Sequence, residues 1–194
     1  MNTEQCRAHT VLREDHRTLL RVDVEIVIPS GNETVRTFYE KIAGAAVRWA
    51  EDEEAPLVRN AYAACADFRE KSRFQPYLFR LVGNSYETDE RHFTVVCRST
   101  LIRNGNRQTR LAAQVWNFSE NTVLPVKEVL RRWFGGLRRP DLGYRADGCY
   151  PANGEIVFFR NPHGSEPFRQ TRKKFEKNLT KCQEKACKKQ KSML

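Results

Sequence analysis

The stretch NETVRTFYEKIAGAAVRWAEDEEAPLVRNAYAACADFREK, residues 32–71, decides the fold. Val35, Phe38, Tyr39, Ile42, Ala45, Ala46 and Trp49 recur at helical spacing, with Glu40, Lys41, Arg48 and Glu51 on the other side. Beyond Pro56 the apolar stripe resumes with Leu57, Ala61, Cys65 and Phe68. This predicts one long amphipathic helix bent once near Pro56. Its start is offered by Ser30, with Glu33 reaching back in a capping box, or by Asn32. Such a face must cover something flat and apolar, and the flanking strands are the candidates.

Working outward, residues 19–29 read LLRVDVEIVIP. Leu20, Val22, Val24, Ile26 and Ile28 alternate with Arg21, Asp23 and Glu25, a strand with one buried face. Residues 76–125 turn to a run of strands. Asn104-Gly105 marks a tight hairpin, because both residues tolerate positive φ, and Ser119-Glu120-Asn121 closes another. Val126 to Phe134 predicts a short helix stopped by Gly135-Gly136. Residues 137–154 read as loop, and Glu155 to Arg160 as a last strand. The expected fold class is α+β: an antiparallel β-meander packed against one long kinked helix, plus a basic C-terminal helix. The expected domains are residues 18–162 for the α+β body and 163–194 for a basic helical tail.

The formal charge of +10 is uneven. Residues 161–194 carry ten Lys/Arg against three Asp/Glu, a net of +7, which leaves +3 for the first 160. In the tail, Phe168, Phe175, Leu179, Cys182 and Ala186 form a narrow apolar stripe at helical spacing. The first 17 residues lack an apolar run, and no stretch approaches the ~20 apolar residues of a membrane span. The chain as written is therefore expected in the cytoplasm, or at the envelope if a leader was removed.

Catalytic signatures are missing: there is no HExxH, phosphate-binding glycine loop or serine triad pattern. The six cysteines show no CxxC spacing, so no metal site and no cofactor is expected. Cys65 and Cys97 lie in apolar patterns that read as buried thiols. Asp147-Gly148-Cys149-Tyr150 can be posed as a nucleophile loop, but only Arg145 is near enough in sequence to lower the thiol's pKa. The acidic run Glu51 to Glu54 suits a solvated helix junction better than a catalytic pair.

The order of elements resembles a known family. Phe38-Tyr39, Arg48-Trp49-Ala50, Pro76-Tyr77, Gln114-Val115-Trp116-Asn117-Phe118 and Val123-Leu124-Pro125 follow its sequence of motifs, as does Ile156-Val157-Phe158-Phe159-Arg160-Asn161-Pro162. This family is the bacterial domain of unknown function found in the extracellular region of lysozyme-sensing anti-sigma factors and beside peptidoglycan deacetylase domains. The resemblance spans about residues 18–162 and departs at Arg103-Asn104-Gly105-Asn106, where relatives carry Gly-Gly-Ala-His. It implies a non-catalytic module that binds a protein or a cell-wall ligand.

A second class of function comes from the tail itself. Arg169, Arg172, Lys173, Lys174, Lys177, Lys181, Lys185, Lys188 and Lys189 are the candidate binding residues for nucleic acid, another anionic polymer or a membrane surface. No small-molecule substrate is indicated.

Overall fold

Five aliphatic side chains on one face of a single strand organise the first half of the chain. The computed structural model describes residues 2–134, 146–162 and 169–174. In strand β2 (Arg17–Pro29), Leu20, Val22, Val24, Ile26 and Ile28 are buried, each at 3% exposure or less. The polar residues between them face the other way, as strand alternation requires. Strand β1 (Thr3–Glu14) pairs antiparallel with β2 through a turn in which Asp15 and His16 both take positive φ. On the opposite side β2 pairs parallel with β3 (Tyr77–Asp89). Parallel neighbours need a long crossover, and the helical stretch between them supplies it.

That stretch is broken into pieces. Helix α1 (Glu33–Trp49) is capped by Asn32, whose side chain accepts from the Val35 amide at 3.1 Å, and Glu33 pairs with Arg36. A π segment (Ala50–Glu54) follows, then α2 (Ala55–Ala63). A separate short helix, α3 (Phe68–Arg73), is capped by Asp67. The buried positions run Val35, Tyr39, Ala43, Ala50, Glu54, Ala55, Val58 and Tyr62. A π turn inserts an extra residue, so the face beyond it advances by one position. Val58 and Tyr62 are therefore inside, while Leu57 is half exposed at 49% and Phe68 is out at 81%. Helix α1 lies against β1 and β2, and α2 against β2.

Strands β3, β4 (His92–Arg103), β5 (Asn106–Asn117) and β6 (Thr122–Leu124) complete a six-stranded sheet in the order β1-β2-β3-β4-β5-β6. Asn104 and Gly105 both take positive φ, the conformation that turn sequence anticipates. Helix α4 (Val126–Phe134) buries Val129 and Trp133. Strands β7 (Gly148–Ala152), β8 (Glu155–Arg160) and β9 (Arg169–Lys174) form a second, antiparallel sheet in that order.

The expected fold class does not hold. Among the described residues the chain is mostly β, nine strands in two sheets. No single kinked helix covers a meander: the helical run of Glu33 to Ala63 is interrupted by a π segment, packs mainly on β1 and β2, and ends before Phe68. The expected basic C-terminal helix is overturned where it can be seen, since residues 169–174 are a strand hydrogen-bonded to β8.

The chain forms two compact units. Among the described residues the first comprises 2–85, 95–112 and 161–162, the second 86–94, 113–134, 146–160 and 169–174. In the first, Asn161 uses its side-chain amide to bond both the amide and the carbonyl of Leu111, at 2.7 and 3.1 Å. In the second, Phe93 stacks on Trp116 with ring centroids 6.2 Å apart and planes 2° from parallel. Among the described residues no helix is long and apolar enough to cross a membrane.

Candidate functional site

In the first unit, the face of β1–β2–β3 turned away from the buried aliphatics is a ladder of charges. The antiparallel register sets Arg7 opposite Glu25 and His9 opposite Asp23. The parallel register sets Arg80 beside Asp23 and Val82 beside Glu25. Arg7 reaches Glu25 at 3.3 Å. Asp23 accepts from Arg21 Nε at 2.7 Å and lies 2.8 Å from His9 Nδ1. Burial works to raise the Asp23 carboxyl pKa, but the hydrogen bonds and charges of Arg21 and His9 outweigh it and hold the group below its ordinary value. Arg21, Asp23, Glu25, Arg80, Leu81 and Val82 line a cavity of about 370 Å³ over this pair of strands. Such a volume admits a small ligand or one residue of a larger one.

A second cluster, in the second unit, surrounds His92. Its side chain is buried, with Nδ1 2.6 Å from Asp89 Oδ1 and the ring edge-on to Trp133 at 5.4 Å. Arg132 Nη1 lies 3.0 Å from Nε2 and 3.3 Å from Nδ1. A guanidinium only donates, so Nε2 is the acceptor and Nδ1 carries the proton given to Asp89. Burial again works to raise the Asp89 pKa. The Arg91 amide, His92 and the charge of Arg132 prevail and lower it. Both ring nitrogens of His92 are thus held by charged side chains.

Cys149, the thiol considered for chemistry, lies inside β7. Burial pushes its pKa up to about 11, opposite to what a nucleophile needs. Arg145 lies outside the described residues. Cys97 is likewise buried and pushed up to about 11. Cys65 is half-buried. No three metal-ligating side chains come together among the described residues.

Of the candidate tail residues, Arg169 and Arg172 are exposed on β9, and Lys173 and Lys174 end that strand. Lys177, Lys181, Lys185, Lys188 and Lys189 lie outside the described residues. Sequence reasoning missed the cavity and Arg80. Arg21, Asp23 and Glu25 were legible as the polar face of a strand. Nothing local shows that β3 returns parallel to β2 and sets Arg80 among them.

No family model matches this chain, and no curated protein does. Solved structures do. A DUF3298 family protein from Bacteroides fragilis superposes with a TM-score of 0.57 at 8% identity, covering 93% of this chain and 92% of its own. A DUF3298 family protein from Pseudomonas aeruginosa gives 0.50 at 10% identity, covering 90% and 89%. At such identities the likeness is one of fold. This chain has the fold of proteins from a family of unknown function, matched over nearly its whole length.

Proposed function

We propose that this protein is a non-catalytic binding module whose ligand, a protein or a fragment of cell wall, docks on the charged face of β1–β2–β3. One observation carries the reading: a concavity of about 370 Å³ lined by Arg21, Asp23, Glu25 and Arg80 on this sheet face. Alternating charges favour a polar partner and give orientation more than bulk affinity. The engaged ring nitrogens of His92 and the raised pKa of Cys149 support a role without turnover. The sequence resemblance to the sensing region of anti-sigma factors and to the neighbours of peptidoglycan deacetylases supplies the class of ligand, a muramidase or a wall fragment. The test is retention of a muramidase and of soluble wall fragments by the immobilised full chain. Retention lost on reversing Arg80 to Glu is the expected result. Turnover of a wall fragment or ester that disappears in Cys149→Ser or His92→Gln would refute the reading.

A second reading rests on Arg169 and Arg172, exposed in a tail of net charge +7. Under it the tail holds nucleic acid or an anionic membrane, with affinity falling steeply as salt rises. Binding measured at two salt concentrations, with and without residues 175–194, tests it.

A further inference from the structure

The charge ladder of the first unit contains one arginine too many. Arg7 is matched by Glu25, and Asp23 is shared by Arg21 and His9. Asp23 is the register partner of Arg80, yet its ion pairs go elsewhere, to His9 through Oδ1 and to Arg21 through Oδ2. Arg80 stands exposed at the cavity and makes no ion pair among the described residues. Arg7, Arg21 and Arg80 against Asp23 and Glu25 leave a net +1 before His9 is counted. An arginine unpaired on a convex surface would carry no message, since water satisfies it. Here the guanidinium lines a concavity beside a second guanidinium, Arg21.

From this we infer that the cavity is a carboxylate-binding subsite: Arg80, with Arg21 beside it, takes a free carboxylate of the ligand, while Asp23 and Glu25 accept from hydroxyl or amide groups of the same molecule. The planar fork of a guanidinium matches a carboxylate with two parallel hydrogen bonds. The two flanking carboxylates select for a single negative charge, because a dianionic phosphate would meet twice the repulsion from them. Val82 supplies an apolar part of the lining, suited to a sugar ring face or a methyl group. The ligand class is thus a small acid with neutral polar groups, either a sugar acid or a peptide carboxylate. The inference rests on the binding-module reading and narrows it.

The experiment follows, by NMR on the full chain, the Arg80 side-chain Nε–H resonance together with the backbone amides of Asp23, Glu25 and Val82, which register even millimolar affinity and read binding in the Arg80 variants as well. The probes are two matched pairs: N-acetylmuramic acid with N-acetylglucosamine, and N-acetyl-alanyl-alanine with its carboxamide. The expected result is a saturable shift with at least one acid, and about tenfold weaker binding of its uncharged counterpart, a loss typical of a charge-assisted bidentate pair. The acid that shifts Arg80 identifies the source, sugar or peptide. Arg80→Gln should abolish the binding and Arg80→Lys should weaken it, both with an unchanged Tm because Arg80 is exposed. The inference is overturned if neither acid moves the resonance, if the neutral counterparts bind equally, or if Arg80→Gln binds as well as the parent. Should the subsite fail while the immobilised chain still retains a muramidase or wall fragments, only the carboxylate assignment falls. Should retention fail too, the module reading falls with it.

Discussion

Arg103, at the end of β4, grips the carboxylate of Glu54 at the end of the π segment with two hydrogen bonds. One is from Nε to Oε2 at 2.8 Å, the other from Nη2 to Oε1. Glu54 is 1% exposed, whereas the Arg103 side chain keeps 40% of its surface in water. The pair therefore costs little to desolvate on the arginine side, and it fixes the extra residue of the π turn against the sheet. It also explains why an acid can occupy a position in line with Ala50 and Val58 on the buried face.

Removing the arginine alone should be the costly change, because it strands a buried charge. Arg103→Met is expected to destabilise by about 3 kcal/mol, read as a lower urea midpoint at unchanged slope. The double variant Glu54→Leu with Arg103→Met should recover most of that loss, since replacing a buried pair by apolar groups is often neutral. Equal losses in the single and double variants would show that the pair does not hold the π turn.

Gly83 gives a second prediction from close packing. A Cβ on this residue would lie 2.5 Å from Ile26 Cγ2 and 3.1 Å from Cys97 Sγ. Both neighbours are fully packed, so neither can move aside freely. Gly83→Ala should cost about 1–3 kcal/mol, the usual range for overpacking. Gly154→Ala is a control of a different kind: its Cβ meets nothing within 4 Å, but its φ is +74°, so any loss there is backbone strain alone. A melting temperature for Gly83→Ala equal to that of the parent would mean that β2, β3 and β4 are not in this contact.

The contrast between these positions shows where the sequence was readable. The alternation of β2 is a local signal, strong enough to show both its buried and its charged face. The α1 stripe was legible at Val35 and Tyr39 but took in the exposed Ala45 and passed over the buried Ala43, and beyond Trp49 the π turn shifted its phase by one residue, which periodicity at 3.6 cannot anticipate. Strand β1 escaped notice because Cys6 is its only buried hydrophobic residue amid charged neighbours. Strand β7 was masked by Gly148 and Pro151, turn residues that here lie in a paired strand. Residues 169–174 contain no apolar side chain at all, so their strand is imposed by the partner β8. The cavity was the least legible feature, because it depends on a parallel pairing made across residues 30–76.

The buried thiols yield a third prediction. With pKa values near 11, Cys97 and Cys149 should be about one part in a thousand thiolate at pH 8, and buried besides. Iodoacetamide applied to the native protein should label Cys65, which is half-buried, well before either of them. In denaturant all three should react at similar rates. Mapping the alkylated peptides by mass spectrometry checks this. Labelling of Cys149 in the native protein as fast as Cys65 would remove the argument against it as a nucleophile.

Acid should loosen the second unit through Asp89. Its carboxyl is held below its ordinary value by the Arg91 amide, His92 and Arg132, against the opposing effect of burial. A carboxylate depressed in the folded state contributes stability that is complete above its unfolded pKa of about 3.9 and is lost as pH falls through the lower folded value. The unfolding midpoint in urea should therefore stay level from pH 7 to about pH 5 and drop below about pH 4. Asp23 is depressed in the same way and contributes to that drop, so the wild-type curve alone does not isolate Asp89. The informative quantity is the difference between wild type and Asp89→Asn. It should be largest at neutral pH and shrink in acid, because protonation leaves the wild-type residue as neutral as the amide. Trp133, edge-on to His92, gives a fluorescence signal close to the affected group. A difference that stays constant from pH 7 to pH 3, or grows in acid, would show that the Asp89–His92–Arg132 contacts do not stabilise the folded state.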